Sequence, residues 1–149
     1  MLKILGLVVF VVTLARPLAA TAAPDGPIIV TPANVAWAPG TGHFAGTLVA
    51  VSEGDPAKPG PYSLRLKLPD GATFAPHSHA DVEHVTVLSG TLLVGLGDKL
   101  DVAHMKALDA GAYVIIPSGL HHFAMAKGTT IVQIHGNGPS SFDMVEQGK

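Results

Sequence analysis

The sequence predicts an all-β fold, a sandwich or barrel of short strands, and three observations carry that prediction. After about residue 22, apolar residues recur with a period of two, while helical i, i+3, i+4 spacing is hard to find. The chain holds 17 glycines and 12 prolines against only 13% charged residues, which suits tight turns. Those turn signals recur at intervals of roughly 8 to 12 residues, the rhythm of sandwiches and barrels.

Taken in order, residues 1–22 carry a basic start at Lys3, an apolar run from Ile4 to Ala15, and a small-residue stretch ending in Ala20-Thr21-Ala22. This is the layout of a secretory signal peptide, cleaved between Ala22 and Ala23. A membrane-spanning helix needs about 20 apolar residues, and this run stops at Arg16 and Pro17. The expected mature protein is exported, periplasmic or secreted, with a lead segment at residues 23–36, one domain over residues 37–145 and a short tail at residues 146–149. Strands are predicted at Gly46–Ser52, Tyr62–Leu68, Thr73–His79, Glu83–Leu88, Thr91–Leu96, Tyr113–Ile116, His121–Ala126 and Thr130–His135. Turns fall between them at Asp70-Gly71, Ser89-Gly90, Asp98-Lys99 and Lys127-Gly128. Asp101–Leu108 reads as a short helical turn, Glu53–Pro61 as a surface loop, and the segment SSFDMVEQGK as a tail or edge strand.

Composition narrows the function classes. A length of 149 residues fits one core. Cleavage after Ala22 removes Lys3 and Arg16, two positive charges, and takes the net charge from −2 to −4. No run of Lys or Arg remains to hold nucleic acid or anionic lipid. Cysteine is absent, which excludes disulfides, thiolate nucleophiles and sulfur metal ligands. Histidine, with 8 residues, is plentiful.

The histidines concentrate chemistry in HSHADVEH, His77 to His84. Alternate residues of a strand share a face, so in TFAPHSH Thr73, Ala75, His77 and His79 point one way and Phe74, Pro76 and Ser78 the other. After a turn at Ala80-Asp81-Val82, Glu83 can converge with them while His84 faces away. A fourth partner must come from farther along, and LHHFAMA offers His121 and His122, of opposite parity. Two or three imidazoles with one carboxylate on a rigid sheet form a site for a divalent first-row metal.

The spacing Gly71-(5)-His77-Ser78-His79-(3)-Glu83-(6)-Gly90 resembles the first motif of the cupin superfamily, and Gly111-(5)-Pro117-Ser118-Gly119-(2)-His122 resembles the second. The likeness extends more loosely from Trp37 to Val145. It implies a small double-stranded β-barrel (jelly roll) whose mouth holds one divalent transition metal, Fe2+, Mn2+, Zn2+, Ni2+ or Cu2+, on His77, His79, Glu83 and His122. The second motif selects His122 over His121. Where the family often has an asparagine, this chain has Ala126, so that His122, Ala124 and Ala126 would line a roomy interior patch. A homodimer is a family-level expectation.

The other candidates are assigned by strand position. Gln133 and His135 share parity and could enter the pocket, and Tyr62 or Tyr113 could supply a phenol. Arg65 and Lys67 project opposite to Tyr62, Leu64, Leu66 and Leu68, as a polar outer face. His84 and His121 are read as outward or rim residues, His43 and His104 as loop residues. The resemblance fixes a site better than a reaction. The leading expectation is a metal-dependent oxidoreductase of dioxygenase type acting on a small organic molecule, with Glu83 both ligand and proton acceptor. The alternatives are a metal-dependent decarboxylase, isomerase or lyase, or a metal- or ligand-binding protein without turnover. Outside the cytoplasm the Irving–Williams order favours Zn2+ or Cu2+ over Fe2+ and Mn2+.

Overall fold

The computed structural model describes residues 26–146, so the signal-peptide and cleavage-site expectations, and most of the tail, lie outside the described residues. Nine strands run in chain order: β1 (Ala38–Pro39), β2 (Leu48–Glu53), β3 (Gly60–Leu68), β4 (Thr73–Ser78), β5 (Glu83–Leu96), β6 (Lys106–Asp109), β7 (Tyr113–Ile116), β8 (His122–Gly138) and β9 (Asp143–Met144). Short 3-10 turns occur at Gly42–Phe44 and Val102–His104. No helix among the described residues is long and apolar enough to cross a membrane.

Two long strands organise the rest. β5 and β8 pair antiparallel over most of their lengths, from His84 opposite His135 to Leu96 opposite His122. The first half of β5 and the second half of β8 carry β7 on one side and β3, β2 and β1 on the other. Their remaining halves carry β6 on one side and β4 then β9 on the other. The result is a jelly-roll barrel of two facing antiparallel layers that share β5 and β8 at the fold.

The turns expected at Ser89-Gly90 and Lys127-Gly128 are therefore bends within continuous strands. Pairing jumps from Ser89↔Ile131 to Thr91↔Lys127, and both glycines sit at positive φ, 77° and 71°. Buried Thr130 locks the corner: its Oγ1 accepts from the Thr91 amide at 3.2 Å and reaches the Thr91 carbonyl at 3.0 Å. The helical turn expected over Asp101–Leu108 is confined to Val102–His104, capped by the Asp101 carboxylate on the Ala103 amide at 3.2 Å. Lys106–Asp109 is instead drawn into the sheet by pairing with β5.

The core lies between the layers, where the even positions Tyr62, Leu64, Leu66 and Leu68 of β3 face Val85, Val87, Leu92, Ala126, Val132 and Ile134. Burying a side chain of this size stabilises by about 1.5–3 kcal/mol. Phe123 takes the opposite face of β8, its ring lying over Gly95, where an added Cβ would come within 2.1 Å of it.

Candidate metal centre

His77, His79 and His122 are brought together at one end of the barrel, 3, 7 and 4% exposed, with one ring nitrogen of each lying within 4.8 Å of the others. Direct pairing of His77 with His122 across β4 and β8 places two of them. His79 follows at the end of β4, and Glu83 opens β5 after the Ala80–Val82 turn. One carboxylate oxygen of Glu83 lies 3.5 Å from His79 Nε2 and 3.8 Å from His122 Nε2.

Simple alternation does not produce this face unaided. Expected opposite His77, Phe74 in fact packs against the core, because pairing of β4 with β8 slips between Phe74 and His77. This bulge brings Phe74, His77 and His79 to the same cavity.

Each imidazole is oriented from behind. His77 Nδ1 donates to the Ala75 carbonyl at 2.7 Å, His79 Nδ1 to the Ser141 carbonyl at 2.7 Å, and His122 Nδ1 to the Leu120 carbonyl at 3.0 Å. A carbonyl only accepts, so in all three rings Nδ1 carries a proton, and in the neutral ring this leaves the lone pair on Nε2. Burial holds His77 near pKa 3 and draws His122 below its ordinary value, which keeps these rings neutral. Burial pushes Glu83 upward, partly offset by His79.

His79 Nε2 is buried with no hydrogen-bond partner. An orphaned ring nitrogen aimed into a cluster of three imidazoles and a carboxylate is the donor set a divalent transition metal takes. Ligand bonds of about 2.0–2.2 Å imply ligand-to-ligand separations of roughly 3.0–3.5 Å, close to the Glu83–His79 and Glu83–His122 spacings. The residues fit such an ion.

A family model for the cupin domain matches residues 64–135, a span that holds His77, His79, Glu83 and His122. The chain belongs to the cupin superfamily. Solved structures agree on the fold: this cupin superposes with TM-score 0.62 on a putative acetylacetone dioxygenase from Methylibium petroleiphilum PM1, at 17% identity over 83% of this chain and 85% of that one. The polyketide cyclase RemF from Streptomyces resistomycificus gives 0.61 at 17% identity, covering 81% and 87%. An RmlC-like cupin from Shewanella frigidimarina NCIMB 400 gives 0.58 at 16%, covering 75% and 91%. No curated protein sequence matches the chain.

Two compartments adjoin the cupin centre. An inner one of about 60 Å³ is lined by His77, His79 and Glu83 together with Leu66, Leu68 and Phe74. An outer one of about 200 Å³ is lined by His79, Glu83, Tyr62, Leu64, Ser140 and Phe142 among others. Tyr62 donates its hydroxyl proton to Asp81 Oδ2 at 2.8 Å, and burial raises its pKa. Gln133 and His135, expected as pocket groups, lie on the opposite face. Val132 and Ile134 take the interior positions of β8, so their odd-numbered neighbours point out. Gln133 Oε1 there accepts from Arg65 Nε at 3.0 Å, and His135 stacks on His84 at 4.9 Å, beside Tyr113. His121 pairs with Asp98 at 2.6 Å, away from the centre. Ala126 joins the core rather than the cavity wall.

Sequence reasoning overlooked Phe142 and Ser141, which the chain folds back onto the centre from beyond β8. Phe142, the one aromatic in the C-terminal stretch SSFDMVEQGK, was the available signal.

Proposed function

We propose that this cupin is a metal-dependent oxidoreductase of dioxygenase type acting on a small, uncharged or enolic organic molecule. The observation that carries the reading is the orphaned His79 Nε2, buried with His77, His122 and Glu83 against an apolar compartment of about 200 Å³. A divalent metal held by His77, His79, Glu83 and His122 would supply a Lewis-acidic centre at which substrate and O2 can meet.

The chain's own residues would do the remaining work. The three backbone carbonyls fix the imidazole tautomers, so that the donors are already in place before a ligand arrives. Glu83, largely buried, is suited to take the proton of an enol or phenol at its carboxylate as the substrate enters. Tyr62 has its proton committed to Asp81, leaving the phenolic oxygen as an acceptor on the compartment wall. Phe44, Leu64, Ile134 and Phe142 exclude water from that wall.

Substrate class follows from what lines the compartments. Neither is lined by a Lys or Arg among the described residues, so the metal alone would offset the charge of a dicarboxylate, and a carboxylate turned away from it would be desolvated at a cost. Decarboxylation of an anionic acid is accordingly less well supported than oxidation of a neutral enol, and a putative acetylacetone dioxygenase is among the structures this chain resembles. The compartments are also small for a polycyclic substrate.

The test is O2 uptake by the protein reconstituted anaerobically with Fe2+ and then offered phenols, enols and thiols. Substrate-dependent uptake supports the reading, and turnover without O2 consumption replaces it with a lyase or isomerase. Tight retention of a ligand with no product would make this a binding protein.

A further inference from the structure

Phe142 stands where the two compartments meet. It lines both, as do Phe44, His79, Glu83 and Ile134. Its ring lies flat against the His77 imidazole, centroids 3.9 Å apart and planes 9° from parallel, and His43 stacks on it at 4.4 Å and 15°. Phe44 and Phe74 meet it edge-on or tilted at 6.1 and 6.3 Å.

The backbone around Phe142 is pinned on both sides. The Ser140 amide donates to the Pro56 carbonyl at 2.7 Å, and the Val145 amide to the Pro76 carbonyl at 2.9 Å. Between them the Ser141 carbonyl accepts from His79 Nδ1, Ser141 Oγ accepts from the Ala80 amide at 2.9 Å, and Met144 pairs with His77. A ring so held is a fixed wall.

We propose that Phe142 determines which ligands this cupin accepts, by dividing one cavity into two and limiting the occupant to a single six-membered ring or a molecule of similar size. The inference rests on the reading of this pocket as the ligand site beside the metal. An apolar cavity of about 150 Å³ holds one benzene molecule, so the outer compartment of about 200 Å³ accommodates one ring. A second ring directed inward, toward the metal ligands and the inner compartment, meets the Phe142 side chain. Without that side chain the outer compartment opens into the inner one of about 60 Å³.

The experiment measures dissociation constants for phenol and 4-phenylphenol by calorimetry, in metal-free and Co2+-loaded protein, for the wild type, Phe142→Ala and Phe142→Leu. The wild type is expected to bind phenol and to discriminate against 4-phenylphenol. In Phe142→Ala that discrimination falls by at least about tenfold, as burial of a second ring requires, and Phe142→Leu shifts it in the same direction by less. The leucine variant decides the matter if the alanine variant does not fold. Unchanged discrimination, or no phenol binding by the wild type, overturns the proposal. Failure to take up stoichiometric Co2+ would instead overturn the metal reading, and the metal-free arm still decides the role of Phe142.

Discussion

The Nδ1 of His79 donates to the carbonyl of Ser141, 62 residues downstream, at 2.7 Å. A ligand near the first motif is thus oriented by a segment that returns only after β8, and the site is incomplete without residues 139–146. Partners of this kind are worth about 10- to 100-fold in metal affinity. A chain ending at Gly138 is expected to lose that much Zn2+ or Co2+ affinity in chelator competition. Ser141→Ala, which removes the bond to the Ala80 amide but keeps the carbonyl, should cost only about two- to tenfold. Equal affinity in the truncated and full chains would refute the role assigned to Ser141.

The donor set predicts which histidines matter. His77→Ala, His79→Ala and His122→Ala each remove a buried nitrogen from the cluster, and metal per chain measured by elemental analysis should fall to a small fraction of the wild-type value. His84→Ala and His121→Ala should retain the full content, because His84 stacks on His135 across the sheet and His121 pairs with Asp98. Retention of metal by His122→Ala would sink the assignment.

How far the sequence reached depended on the range of the interaction. Period-two runs located β3, β4 and β7, because alternation is local. The same rule, extended along β8 from His122 through Gly128, would have put Val132 and Ile134 inside and Gln133 and His135 outside; the bend leaves parity intact. Phe74 was misplaced for the contrary reason, since a bulge between it and His77 changes parity and only the pairing with β8 reveals it. Ser89-Gly90 reads locally as a hairpin turn, and nothing nearby says that the strand continues around a corner. Phe142 stands out in the tail as an aromatic, but where the tail docks it is a long-range contact that composition does not encode.

That corner supplies a stability prediction. A Cβ on Gly90 would stand 2.5 Å from the Thr129 carbonyl oxygen and 2.8 Å from Thr130 Cα, at a φ of +77°. Backbone cannot step aside as a side-chain tip does. Gly90→Ala should therefore cost overpacking of about 1–3 kcal/mol and a left-handed penalty of about 1–2 kcal/mol, read as a lower urea midpoint. Gly128→Ala faces open space at φ +71° and should lose only the second contribution. Equal losses in the two variants would remove the close approach as the cause.

Acid sensitivity of the metal-free protein follows from the buried ring nitrogens. His77 titrates near 3 in the fold and His122 below its ordinary value, against about 6.5 for both when unfolded. Below pH 6.5 the unfolded chain takes up protons that the folded chain does not, so this contribution is complete above 6.5 and is lost as pH falls toward 3. Glu83 acts in the opposite sense. Its raised pKa means that the folded state keeps a proton the unfolded state releases above about 4.5, favouring the fold at low pH and fading as pH rises. With two imidazoles set against one carboxyl, the urea midpoint should fall between about pH 7 and pH 5. His77→Gln should flatten that profile and Glu83→Gln should steepen it. Saturating Zn2+ should hold the midpoint higher at pH 7, since a ligand bound only by the folded state at 100 times its Kd adds about 2.7 kcal/mol. A wild-type midpoint that rises on acidification over this range would show that burial of His77 and His122 does not govern the titration.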